Sequence, residues 1–253
     1  MDFYETIKTK CKNRGLRDPQ IYSLILQYIA LNTGELITPT VISANLKETF
    51  GLVSGISHHT AAKYLNALVG DELVLKVGRK YLRKDGYRPD ILSANCYVNN
   101  PKLFEDLAAK NREAFEEKER RSGINEFELA LGRTKFANAL FSALTLEERA
   151  TLTAGRIDFF INTKHEGKRV SVLLDFLYER EGQEVAYIFL DAPLVKSLNG
   201  DQKLFHEYLR ALDLRAKEVN VVFVDPFNPS MEWKKDGEPD ILGLDLALAQ
   251  IGL

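Results

Sequence analysis

Cysteine is scarce in this chain of 253 residues: Cys11 and Cys96 are the only two. They stand far apart without CxxC spacing, so neither a zinc site nor a disulfide framework is expected, and both are read as reduced bystanders. No apolar run approaches the length needed to cross a bilayer, and no membrane partner is expected. The opening residues, MDFYETIKTKCKNRG, hold no apolar stretch ahead of a small-residue cleavage site, so no secretory leader and a cytoplasmic location are expected. There is no GxSxG elbow, no HExxH, and no GxGxxG opening a helix after a strand, so no cofactor is anticipated. A net charge of −2 argues against indiscriminate coating of nucleic acid, and any contact with DNA must come from a local basic surface. What remains is 45% hydrophobic and 28% charged residues with 16 glycines, the composition of a globular chain that buries a sizeable core.

The N-terminal half carries repeated helix-start signals. Asp18 is placed to cap a helix with Pro19 at its first position, and Ile21, Leu24, Ile25, Tyr28 and Ile29 recur at helical spacing before Gly34. Thr38 and Pro39 repeat the signal ahead of Ile42, Leu46 and Phe50, with Gly51 as the stop. Ser57 then caps a third helix, HHTAAKYLNALVGDEL, whose Ala61, Tyr64, Leu65 and Leu68 face inward. Positions 58, 59, 60, 63 and 66 are left outward. LVLKVGRKYLR and SANCYVNN read as two strands joined by the basic segment KDGYRPDIL. Three helices followed by a hairpin is the winged-helix order, assigned to residues 1–100.

Residues 101–123 read as one long charged helix, a connector between domains or else a dimer-forming helix, with Phe104, Leu107, Ala108 and Phe115 on one side. From Ile124 the order becomes helix, three strands (GRIDFFINT, KRVSVLLDFLYE, EVAYIFLDA), a helix over 201–217, and a fourth strand, VNVVFVD. The uninterrupted apolar runs predict strands covered on both faces, hence a mixed sheet flanked by helices over residues 124–253. The tail after Pro229 reads as irregular, with a closing helix at its end. The expected fold class is therefore α+β or α/β in two domains.

Duplex recognition needs a helix whose first turns enter the major groove, with a basic hairpin beside it for phosphates. Ser57, His58, His59, Thr60 and Lys63 lie on the outward side of the third helix. Between positions 76 and 88, Lys76, Arg79, Lys80, Arg83, Lys84 and Arg88 oppose Asp85 alone, a cationic island in an acidic chain. His58 and His59, being adjacent on a helix, should point a quarter-turn or more apart and make a poor metal pair. The stretch ISHHTAAKYLNALVGDELVLKV resembles the winged-helix superfamily used by transcriptional regulators. That resemblance covers about 80 residues and implies a partner of double-stranded DNA, with dimerisation expected because one recognition helix reads too few base pairs.

The second half is similar in element order to restriction-endonuclease-like proteins, and its junction with a winged helix resembles the accessory half of certain prokaryotic AAA+ ATPases. The chain lacks their GxxxxGK[ST] loop, so ATP hydrolysis is not implied. The nuclease pattern would use Asp158 and Asp175 as metal-holding carboxylates, with Glu126 or Glu128 adding a third, and a lysine two positions beyond the second aspartate. Leu177 stands there instead. Aspartates in apolar strands are also commonly ion-paired, and Arg156 and Arg169 are available. The expectation is thus a degenerate nuclease-like fold kept for dimerisation or sensing, with no catalytic residue and no metal. A nuclease, or an interaction module of a defence, replication or partition complex, is the alternative. Asp191 and Asp225, each at a strand end beside a proline or one residue from it, are read as turn residues rather than ligand groups.

Overall fold

The computed structural model describes residues 3–52, 54–83, 86–162, 167–191, 219–234 and 240–252; the side chains of residues 3–4, 80–92, 156–173 and 219 lie outside the description. Helices α1 (Phe3–Asn13), α2 (Pro19–Leu31), α3 (Pro39–Phe50) and α4 (His58–Gly70) come first, with a short strand β1 (Leu36–Ile37) after α2. Asp18 accepts from the N–H groups of Gln20 and Ile21, Thr38 from that of Val41, and Ser57 from that of Thr60. Each cap satisfies an N–H that has no partner inside its own helix. Gly51 ends α3 at φ +61°, a left-handed conformation that costs glycine nothing.

Three local readings need correction. Helix α1 was not anticipated, because its buried anchors Ile7 and Cys11 are only two apolar positions in a strongly charged segment. Helix α4 stops at Gly70 rather than running to Leu73, since Asp71 caps it and Glu72 turns to φ +57°. The segment read as one connector helix is two, α5 (Pro101–Lys110) and α6 (Arg112–Ser122). Asn111 interrupts it, its side-chain amide donating to the Leu107 carbonyl at 2.8 Å and to Gln27 Oε1 at 3.3 Å, the local bonding by which asparagine competes with helix.

The remaining elements are β2 (Val74–Arg83), β3 (Gly86–Val98), α7 (Glu126–Ala143), α8 (Leu146–Thr151), β4 (Thr153–Asn162), β5 (Gly167–Arg180), β6 (Gln183–Phe189), β7 (Val219–Asp225), β8 (Glu232–Trp233), β9 (Asp240–Gly243) and α9 (Leu244–Gln250). Gly86–Leu92 therefore belongs to strand β3, not to a loop. Pro89 lies opposite Lys80 of β2 on a stretch of β3 that β1, which pairs only with Ala94 and Asn95, does not reach, so on that side β3 needs no N–H from it. The tail after Pro229 is more regular than expected, carrying β8 and β9 ahead of the closing helix, while the helix expected over 201–217 lies outside the described residues.

Among the described residues one nine-stranded mixed sheet, in the order β1-β3-β2-β4-β5-β6-β7-β9-β8, runs through the protein. Its seam is parallel: Gly78–Tyr81 of β2 pair with Thr153–Arg156 of β4. The protein is thus of mixed α+β class, and among the described residues no helix is long and apolar enough to cross a membrane.

Strand alternation divides the core. Val74, Ala94, Cys96 and Val98 of the hairpin join the apolar faces of α2–α6, whereas Val77 and Tyr97 join α7, β6, β7, β9 and α9, as a period of two requires. Helix α7 lies between the two clusters. Its Ala130 and Leu131 go to the first and its Leu129, Phe136, Ala137 and Leu140 to the second, which explains why its sequence is apolar on more than one side. Phe136 seats it on the sheet, with ring centroids 4.8 Å from Tyr187, 5.5 Å from Phe176 and 5.6 Å from Phe189.

Burial pushes the Cys96 thiol up to about 12 and the Cys11 thiol up to about 11, the latter helped by the Asp71 and Asp18 carboxylates. Folded values above the unfolded ones mean that this contribution to stability is complete below the ordinary thiol range and is lost as pH rises toward the folded values. Denaturant titrations from pH 9 upward should therefore show stability falling, with a slope of up to about 1.4 kcal/mol per pH unit for each such group. Unchanged stability between about pH 9 and 11 would refute this account.

Candidate nucleic-acid interface

Helix α4 is held by two reciprocal tyrosine–aspartate contacts. The Asp18 N–H donates to the Tyr64 hydroxyl at 3.0 Å, and the Tyr22 hydroxyl donates to Asp71 Oδ2 at 2.6 Å. Burial first, and then the Asp71 hydrogen bond, pushes the Tyr22 phenol well above its ordinary value. Arg14 adds an ion pair to Asp71 Oδ1 at 2.8 Å and a bond to the Gly70 carbonyl at 2.5 Å, and Lys10 reaches the Asp71 carbonyl at 3.2 Å. At the other end, Ser43 donates to the Ile56 carbonyl at 2.5 Å, which ties the turn between α3 and α4 to α3. Ala61, Tyr64, Leu65, Ala67 and Leu68 are buried. The helix is a fixed rod whose opposite edge is available.

That edge carries Ser57, His58, His59, Lys63 and Asn66, all exposed, with Thr60 half-buried. Helix α4 packs on α2, α3 and β2, so the edge is not spent on the second half of the chain. Ser57 and Thr60 spend part of their bonding on each other, their hydroxyls standing 3.0 Å apart. His58 and His59 do not diverge as expected: their rings lie 3.9 Å apart with a 40° tilt. Side-chain torsions in the first helical turn swing the rings together, which the backbone angle alone does not convey.

In the hairpin the register places Lys80 opposite Pro89, Arg88 opposite Tyr81 and Arg83 opposite Gly86. The basic positions thus sit on paired strands, and Lys84 lies outside the described residues. Lys76 is exposed. Arg79 is corrected: at 4% exposure it belongs to the interior and leaves the cationic island. The reason is the seam, since Arg79 pairs in register with Ala154 of β4, a neighbour the hairpin alone does not predict.

The carboxylates of the second half are placed differently from the nuclease pattern. Asp175 is 1% exposed and Arg133, from α7, lies 6% exposed with its Nε 2.9 Å from Asp175 Oδ1. The second carboxylate oxygen accepts from the Phe189 N–H at 2.9 Å. Burial pushes the Asp175 carboxyl up, while Arg133 and the Phe189 N–H pull it down. Arg133 is the partner of Asp175 that the sequence reading missed, and its signal is a lone arginine in the apolar run LALGRTKF; the side chains of Arg156 and Arg169 lie outside the description. Asp158 lies in β4 with its side chain outside the description; Glu128 is exposed and Glu126 half-buried. No group of three or more metal-ligating side chains occurs among the described residues. Asp225 is a turn residue, accepting from the N–H groups of Phe227 and Asn228 and from the Asn228 amide. Asp191 follows β6 at the sheet end, and the residues after it lie outside the description.

No family model, no curated protein and no solved structure matches the chain.

Proposed function

We propose that this protein binds double-stranded DNA sequence-specifically, through a winged helix-turn-helix made of α2, α3, α4 and the β2–β3 hairpin. It acts as a transcriptional regulator of a prokaryote or mobile element, as a homodimer, with the C-terminal half serving dimerisation or sensing. The reading rests chiefly on one observation: the edge of α4 bearing Ser57, His58, His59 and Lys63 is solvent-exposed and is flanked by a hairpin rich in lysine and arginine. A buried Arg133–Asp175 pair supports a structural rather than catalytic task for the carboxylate that a nuclease would need.

Selection of bound sequences from a random duplex pool tests the reading, and enrichment of paired half-sites is the expected result. On the selected duplex, Lys63→Ala should weaken binding about fivefold, the equivalent of about 1 kcal/mol, and lower the slope of log K against log salt by about 0.9. Retention of duplexes without any enrichment would refute sequence specificity; failure to retain duplex at low salt would refute DNA binding itself.

A further inference from the structure

The way α1 ends leaves a groove beside it. Gly15, at φ +63°, donates its N–H to the Lys12 carbonyl at 3.1 Å, and the Leu16 N–H reaches back to the Cys11 carbonyl at 2.9 Å. This is the Schellman pattern, in which a left-handed residue lets two N–H groups satisfy the last carbonyls of a helix and lays an apolar residue against its final turn. Leu16 and Cys11 are accordingly both buried and belong to one core cluster. With Pro19 of α2 they line a groove of about 430 Å³, inside the span of about 300–1,000 Å³ typical of small-molecule sites. Its walls are held in place, because the Asp18 N–H is tied to the Tyr64 hydroxyl at 3.0 Å and Arg14 to Asp71 Oδ1 at 2.8 Å.

Around this apolar floor the lining is cationic. Lys8, Lys12 and Arg17 line the groove and are exposed, and the carboxylate among the lining residues is Glu5, paired to Lys8 at 3.0 Å. The nearby acids are engaged elsewhere: Asp18 accepts from the N–H groups of Gln20 and Ile21, and Asp71 holds Arg14 and the Tyr22 hydroxyl. Among the described residues the side chains of Lys12 and Arg17 have no ion-pair partner. In sequence, Lys8, Lys10, Lys12, Arg14 and Arg17 follow one another with no acidic residue between Thr6 and Arg17, in a chain of net charge −2.

We propose that this groove binds a small organic phosphate, a phosphate monoester on an apolar body, with Lys12 and Arg17 holding the phosphate and Cys11, Leu16 and Pro19 receiving the body. A phosphate monoester carries a charge of about −1.5 to −2 at neutral pH, which matches the excess of Lys8, Lys12 and Arg17 over Glu5. A single carboxylate would leave part of that excess unmatched, and inorganic phosphate would leave the apolar floor wet. Charge-assisted bonds to exposed cations supply direction, and removal of apolar surface from water supplies much of the affinity. The site stands apart from the edge of α4 and does not rest on the DNA-binding reading. Sequence spacing did not suggest it, because α1 itself was not anticipated and the groove exists only where its closing turn meets α2.

The test is a ligand-observed NMR titration of the full-length protein at low salt with naphthyl phosphate, compared with naphthol and with inorganic phosphate. Naphthyl phosphate should bind saturably with a Kd of about 1 mM or tighter, and each of the other two at least about tenfold more weakly. Lys12→Gln and Arg17→Gln should each weaken naphthyl phosphate about fivefold, and together about 25-fold. Thermal unfolding should be unchanged in these variants, since both side chains are exposed. Lys135→Gln, which removes an exposed cation of α7, should leave binding as it was. Equal affinity for naphthol and naphthyl phosphate would overturn the proposal, and this comparison needs no variant that might misfold. So would the lack of saturation below about 5 mM, or an affinity untouched by the paired Lys12→Gln/Arg17→Gln change, or one reduced as much by Lys135→Gln. If naphthyl phosphate does not bind while the 12/17 pair lowers the salt slope of duplex binding, the groove is a DNA-backbone contact and the small-molecule site is refuted.

Discussion

Replacing Arg133 with methionine is expected to destabilise the protein by about 3–5 kcal/mol near neutral pH, because it strands a buried carboxylate without its cation. Asp175 is 1% exposed, and its second oxygen keeps only the Phe189 N–H at 2.9 Å. The loss should shrink in acid. Without the guanidinium, burial alone holds the folded Asp175 value above the unfolded one, so the carboxyl's contribution is present below the unfolded value and lost as pH rises. The deficit of Arg133→Met should therefore be smaller at about pH 4 than at about pH 7. Adding Asp175→Asn removes the charge but keeps an acceptor for Phe189, and the double variant should recover most of the loss. Denaturant midpoints with unchanged slopes measure this directly. A single-variant cost below about 1 kcal/mol would show that the pair is not an uncompensated charge in waiting.

The same pair shows where sequence reading stops. The starts of α2, α3 and α4 were legible because caps are local chemistry: Asp18, Thr38 and Ser57 each satisfy N–H groups two or three residues away. The inward residues of α4 were legible for the same reason, since Ala61, Tyr64, Leu65 and Leu68 follow the helical period and are all buried. What could not be read depends on which distant segments meet. Arg133 finds Asp175 only because α7 is laid over the sheet, and Arg79 is interior only because β2 pairs with β4. Likewise, the polar edge of α4 was foreseeable from spacing, but the way its histidine rings lie together was not, because rotamers at a helix start are set by neighbours rather than by period. The candidate interface was thus partly visible: the helix and the basic hairpin from their own patterns, but the interior place of Arg79 only once the seam of the sheet was known.

Gly243→Ala is expected to be nearly as damaging, through sterics rather than charge. Gly243 ends β9 and caps α9, and a Cβ built on it would overlap the backbone carbonyls of Asn228 and Pro229. The loop cannot easily move aside. The Gly243 N–H donates to the Met231 carbonyl at 2.6 Å and the Asp245 N–H to the Pro229 carbonyl at 3.1 Å, while Asp225 holds the N–H groups of Phe227 and Asn228. Overpacking against fixed backbone belongs at the upper end of its usual range, about 3 kcal/mol. Gly78→Ala is the control, because nothing lies within 4 Å of its Cβ position, and its cost should stay within about 0.5 kcal/mol. The damage should also be local at first: Leu242, Leu244 and Ala247 are anchored in the sheet-side core, so a loosened loop exposes the C-terminal helix to protease before the whole protein unfolds. Equal denaturation midpoints for the two glycine variants would mean that the 228–231 loop yields freely and that Gly243 is there for reasons other than close approach.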